Sequence, residues 1–142
     1  MKNVVYMFYV AGKPYIGQTT DLNRRWREHQ LHMGKNPMYK CWWNVTFPTI
    51  LYRYNGTSTN RSYIRSILLQ KETEFIQLYD SFLNGWNQQV GNAQPSETLK
   101  KYILDYRLTK DEELLKKIEW KLGNTNLKHV GSFYNMLYGG IK

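Results

Sequence analysis

Tyr6 and Tyr15 lie on either side of the segment Ala11-Gly12-Lys13-Pro14, and Arg25 and His29 follow, four residues apart, in a stretch of helical spacing. Side chains four apart share one face of a helix, and the two strands of a hairpin bring their tyrosines within reach of each other. A guanidinium presents a fork of donors that matches a phosphate, and an imidazole or a phenol can exchange a proton near neutral pH if its surroundings tune it. Such a set could hold an anion and move a proton beside it.

The elements that must position these groups follow from apolar periodicity and turn chemistry. Residues Val4 to Val10 are β-branched and aromatic, so Val4 to Ile16 is expected to be a β-hairpin turning at Ala11-Gly12-Lys13-Pro14. Thr20 or Asp21 can cap a helix carrying Leu22, Trp26, Gln30 and Met33 at helical spacing, closed by Gly34 and Pro37. Met38 to Thr46, with Trp42-Trp43, is a candidate short helix, and Thr49 to Tyr54 is a third strand. From Thr59 or Asn60 to about Leu83 runs the strongest helical pattern, with Ile64, Ile67, Leu68, Phe75, Ile76 and Tyr79 as its apolar stripe. Gly91 to Ser96 has the composition of a hinge, after which helices are expected over Glu97–Leu108, over Lys110–Leu122 with Thr109 as cap, and near Gly131–Tyr138. There is no internal repeat.

The chain has 142 residues, with 20 Lys and Arg against 11 Asp and Glu, a formal net charge of +9. This favours a polyanionic partner over an acidic small molecule. One cysteine, Cys41, excludes an intrachain disulfide, and nothing has the spacing of a structural zinc site; His29 and His32 alone make a poor metal site. No apolar run is long enough to span a membrane, and a cytoplasmic protein is expected.

The string Tyr15-Ile16-Gly17, with Arg25 eight residues beyond its glycine and Val4-Val5-Tyr6 before it, resembles the GIY-YIG nuclease family. Val4-Val5 replaces Gly-Ile, and Tyr6 and Tyr15 are slightly closer than is usual in the family. Tyr9 is an alternative first tyrosine, but it leaves too few residues before Tyr15 for a paired hairpin. Glu72 and Asn87 stand fifteen residues apart, Asn87 in a Gly-aromatic-Asn turn, which extends the resemblance from Val4 to about Val90. The resemblance implies a small, mainly antiparallel three-stranded sheet flanked by helices, an α/β nuclease domain over 1–91, with 92–142 a helical extension.

It also implies roles. Glu72 would hold one Mg²⁺ or Mn²⁺, a single carboxylate being enough when water and phosphate complete the shell; Glu74, two residues on, lies on nearly the opposite face. Arg25 would grip the scissile phosphate, Tyr6 would activate or orient water, Tyr15 would position water or phosphate, His29 would accept or relay the proton, and Asn87 would brace the surroundings of the glutamate. Arg24, Arg27, Arg61 and Arg65 are candidates for contacts to DNA phosphates, and Trp42-Trp43 either stack bases or pack in the core. The expected function is metal-dependent DNA endonuclease, most like compact phage or mobile-element enzymes, acting as a monomer or homodimer. The alternative is a catalytically inert DNA-binding protein or repressor on the same scaffold. The tail either forms a helix-turn-helix-like pair or pads the nuclease core.

Overall fold

In the computed structural model, which describes residues 1–91, 94–127 and 130–139, the first strand is the centre of the sheet. β1 (Lys2–Val10) pairs antiparallel with β2 (Lys13–Asp21) on one side and with β3 (Thr49–Arg53) on the other, in the order β2-β1-β3. Ala11 and Gly12 take φ of 51° and 78°, the left-handed pair that a two-residue hairpin requires. The register sets Tyr6 opposite Gly17 and Phe8 opposite Tyr15, so Tyr6 and Tyr15 are diagonal neighbours on one face. A bulge between Val5 and Tyr6 shifts the pairing with β3.

β1 reads as an unbroken apolar run because both of its faces are covered. Val4, Tyr6, Phe8 and Val10 point to one side, against α1 (Leu22–Gln30) and the 3-10 segment Pro37–Asn44. Val5 and Met7, with Ile16 of β2, point to the other side, against α2 (Arg61–Tyr79). Leu99 and Ile103 of α3 (Pro95–Thr109), Ile118 and Leu122 of α4 (Glu112–Gly123) and Phe133 of α5 (Val130–Tyr134) join that second core. Each such Leu or Ile contributes about 1.5–3 kcal/mol when fully buried. The helices after residue 94 thus share this second core. Among the described residues no helix is long and apolar enough to cross a membrane.

Several boundaries differ from expectation, each for a local reason. The second strand continues past Ile16 to Asp21, whose carboxylate then caps α1 by accepting from the Arg24 N–H. α1 stops at Gln30, and His32 at φ 55° turns the chain before Met33. α2 ends at Tyr79 rather than Leu83, because Asp80 adopts φ 53° and its N–H closes the last turn. Asp111, not Thr109, caps α4 by accepting from the Glu113 N–H; Thr109 belongs to α3 and donates to the Asp105 carbonyl. The expected hinge includes 92 and 93, outside the described residues.

β2 is an edge strand, yet the outward backbone groups of Pro14 and Ile16 are paired by a turn and by a side chain. The Pro14 carbonyl accepts from the Trp86 N–H at 2.9 Å. Asn87 pairs with Ile16 as a strand would, Oδ1 accepting from its N–H at 2.9 Å and Nδ2 donating to its carbonyl at 2.7 Å. The Gln18 backbone N–H lies on the same edge, near enough to the Glu72 carboxylate to oppose the effect of burial on its pKa. This docking needs Gly85, where a Cβ would stand 2.4 Å from the Pro14 oxygen and 2.6 Å from the Ser81 oxygen. Gly85→Ala should therefore cost about 2–3 kcal/mol, read as a lowered urea midpoint with an unchanged m-value; an unaltered midpoint would mean that the turn does not hold the edge.

Candidate active site

Tyr6 lies across β2 with its phenol above Gly17, where any Cβ would come within 2.5 Å of the Tyr6 oxygen. Glycine is thus demanded at 17 by close approach. The ring is 1% exposed, 6.5 Å from the Tyr15 ring and 5.9 Å from the imidazole of His29. Tyr9 is exposed and opposite Pro14.

His29 is fully buried on α1 among Tyr6, Phe8, Tyr15, Trp26, Tyr39 and Trp42. Both ring nitrogens are engaged, Nε2 with the Tyr6 phenol at 2.8 Å and Nδ1 with the Tyr39 phenol at 2.9 Å. Tyr39 donates its proton to the Met33 carbonyl at 3.3 Å, so its oxygen accepts from Nδ1–H. That leaves Nε2 as acceptor for the Tyr6 proton. Burial, aided by the charge of Arg25, lowers the His29 pKa to about 3, so the imidazole is neutral at ordinary pH. Burial also pushes Tyr39 up to about 12. With both nitrogens used, His29 is not placed to ligate a metal, and His32 stacks on Tyr39 with ring centroids 5.1 Å apart.

Arg25 approaches the same phenols from the helix. Nη1 donates to Glu28 Oε1 at 3.1 Å, which aims the guanidinium. Burial opposes its charge, but Tyr6, Tyr15 and Glu28 together hold its pKa above the ordinary value. Burial, and then Tyr15, raises the Tyr6 pKa well above that of a free phenol, with Arg25 pulling the other way; Tyr15 is raised by burial as well. The resting site therefore contains protonated phenols beside a permanent cation.

Glu72 reaches the outer edge of β2 from α2, on the opposite side of the sheet. With Tyr15, Asn36 and Asn87 it lines a cavity of about 200 Å³. Burial raises its pKa to about 7, the Gln18 N–H resisting. Among the described residues it has no ion-pair partner within 4.0 Å. A half-buried carboxylate without a cation, at the wall of a cavity, is the donor that a hard divalent ion accepts when water and substrate supply the other oxygens. No group of three His, Cys, Asp or Glu that could hold a metal occurs among the described residues. Asn87 acts at one remove, since both ends of its amide are committed to Ile16.

Of the candidate DNA contacts, Arg24, Arg61 and Arg65 line one open cleft of about 750 Å³ together with Lys2. Arg27 is exposed on α1 and does not line it. Arg61, Arg65 and Glu72 fall within about 40° of one another around α2 and form a single stripe. Of the tryptophan pair, Trp42 packs on His29 while Trp43 is 85% exposed. Sequence reasoning missed Glu28, Tyr39 and Gln18. Glu28 carried a signal, three residues after Arg25 on one helix; Tyr39 carried none, because only the folded 3-10 segment brings it to His29.

A family model described as the GIY-YIG catalytic domain matches residues 2–87. No curated protein and no solved structure matches the chain.

Two pKa shifts at the site act on stability in opposite senses. The raised pKa of Glu72 contributes stability that is present below about 4.5 and is lost as pH rises to about 7. The lowered pKa of His29 contributes stability that is present above about 6.5 and is lost as pH falls to about 3. Between those limits the two oppose each other. In chemical denaturation without metal, Glu72→Gln should therefore gain on the order of 2 kcal/mol over the native chain between pH 4 and pH 8. A constant difference across that range would show that the carboxylate is not strained.

Proposed function

Because the chain belongs to the GIY-YIG nuclease family, a family of phosphodiester hydrolases, we propose that it is a metal-dependent DNA endonuclease with Tyr6, Tyr15, Arg25, His29 and Glu72 as its reactive groups. The observation that carries this reading is the convergence of two phenols, a neutral imidazole and an aimed guanidinium on one face of the hairpin, with a strained carboxylate at its edge.

A phenol with a raised pKa is a poor base alone. The hydrogen bond from Tyr6 to His29 answers this. As the Tyr6 oxygen accepts a proton from the attacking water, its own proton passes to Nε2 of His29, so no free phenolate has to accumulate. Nδ1–H stays bonded to Tyr39, which fixes the tautomer that keeps Nε2 open. Arg25 donates to the non-bridging oxygens and stabilises the charge that builds on them, a task that Glu28 prepares by orienting the fork. Tyr15, beside Arg25, positions the phosphate or the water. Glu72 would hold Mg²⁺ or Mn²⁺, and a divalent ion bound there supplies positive charge to the phosphate and the leaving oxygen. Asn87 keeps β2, and so Tyr15, in place. The cleft with Lys2, Arg24, Arg61 and Arg65 suits phosphates flanking the cut. One site cuts one strand at a time, so a monomer nicks, and a double-strand break needs a homodimer or two events.

Supercoiled plasmid incubated with Mg²⁺ should become nicked, and EDTA should stop it. Glu72→Ala, Tyr6→Phe and Arg25→Lys should each slow nicking by about 100-fold or more while retaining DNA binding. Full activity in Glu72→Ala, or binding without cutting by the native chain under Mg²⁺ and Mn²⁺, would sink the nuclease reading. Protons and metal compete for Glu72, so activity at limiting Mg²⁺ should fall below about pH 7, and this limb should move to lower pH as Mg²⁺ is raised. His29, with its pKa near 3, should add no limb near pH 6.5.

A further inference from the structure

Lys121 lies on α4, beyond the segment that matches the catalytic domain. Its side chain is fully buried, which is rare for lysine unless it is paired. No carboxylate lies within 4.0 Å of it among the described residues. Instead Nζ donates to the backbone carbonyl of Asn87 and, at 3.5 Å, to that of Gly85, and it lies 4.6 Å above the Phe82 ring. Burial lowers its pKa to about 7. An apolar residue of similar length would fill this space without the desolvation cost, so the donors need a reason. The neighbouring Trp120 packs edge-on against Trp86 at 5.1 Å, which presses α4 onto the same turn.

The turn held in this way leads directly to the site. Asn87 grips Ile16 by both ends of its amide, and Ile16 stands between Tyr15 and Gly17, the residue over which Tyr6 lies. We propose that Lys121 is a positioning residue for the phosphodiester site: from the C-terminal helices it fixes the Gly85–Asn87 turn, and through Asn87 and Ile16 it sets the two tyrosines. The inference rests on the nuclease reading for its kinetic consequence, but the physical link can be tested without it.

The test uses the full chain with Lys121→Met, Asn87→Ala and the double variant, beside Ile103→Val as a control for lost core packing in α3. In metal-free protein, hydrogen exchange at the Ile16 amide should speed up by about tenfold in Lys121→Met relative to the control at equal melting temperature. If the native chain cuts DNA, kcat should fall by about tenfold with KM within about twofold. The double variant should be no slower than Asn87→Ala, because both changes break one chain of contacts. Lys121→Arg, which keeps donors, should recover part of the Ile16 protection. The proposal is overturned if Lys121→Met matches the control in Ile16 exchange, or if its kinetic effect multiplies fully with that of Asn87→Ala. If Lys121→Met does not fold, Lys121→Arg and Lys121→Gln decide by the same exchange measurement. Failure of the native chain to cut DNA would strike the nuclease reading and leave the exchange result standing.

Discussion

The open edge of β2 is the constraint around which this molecule is organised. An unpaired strand edge is costly when buried and prone to wrong pairing when exposed. Here the Pro14 carbonyl and both backbone groups of Ile16 find partners in Trp86 and Asn87, and Glu72 lies beside Gln18 on the same edge. The groups that close the sheet are therefore also those that shape the cavity beside Tyr15. Placing a carboxylate at such an edge is expensive, as its raised pKa records, and on the proposed nuclease reading a cation held there would give the expense a use. Stability and chemistry share the same hydrogen bonds.

On the other face of the sheet, aromatic burial does a different task. Phe8, Trp26 and Trp42 exclude water from His29 and keep the imidazole uncharged. In such a medium a hydrogen bond is stronger and an unpaired polar group costlier, which favours a continuous chain from Tyr6 through His29 and Tyr39 to the Met33 carbonyl. Within that chain Nε2 is the acceptor left open to the Tyr6 proton, since Nδ1–H and the Tyr39 hydroxyl are already committed as donors. The guanidinium of Arg25, tethered by Glu28, supplies the fixed charge beside it.

Much of this was legible in the residues, and the exceptions have physical causes. The hairpin, the third strand and the long helix followed from periodicity, and of the two cap candidates, Thr20 and Asp21, it is Asp21 whose short carboxylate reaches the first-turn amides of α1. The face shared by Arg25 and His29 followed from helical geometry. The end of α2 did not, because Asp80 stops it by entering the left-handed region, which aspartate tolerates without advertising it. Thr109 and Asp111 both look like caps, and only the folded chain shows that Thr109 bonds backward to Asp105. Tyr39 and the committed amide of Asn87 depend on contacts across ten and 71 residues of sequence, which no local pattern encodes.

The stripe of Arg61, Arg65 and Glu72 along α2 makes that helix a gauge. With a rise of about 1.5 Å per residue, Arg65 sits about 10 Å and Arg61 about 16 Å from the level of Glu72. Duplex DNA rises about 3.4 Å per base pair, so a duplex lying along α2 on the nuclease reading would span about three and five base pairs over these intervals. A rigid helix holds that interval constant whatever bases lie beneath it. A residue inserted between Arg65 and Glu72 would lengthen the gauge only slightly, but would swing the two ends about 100° apart and take the arginines off the stripe they share with Glu72.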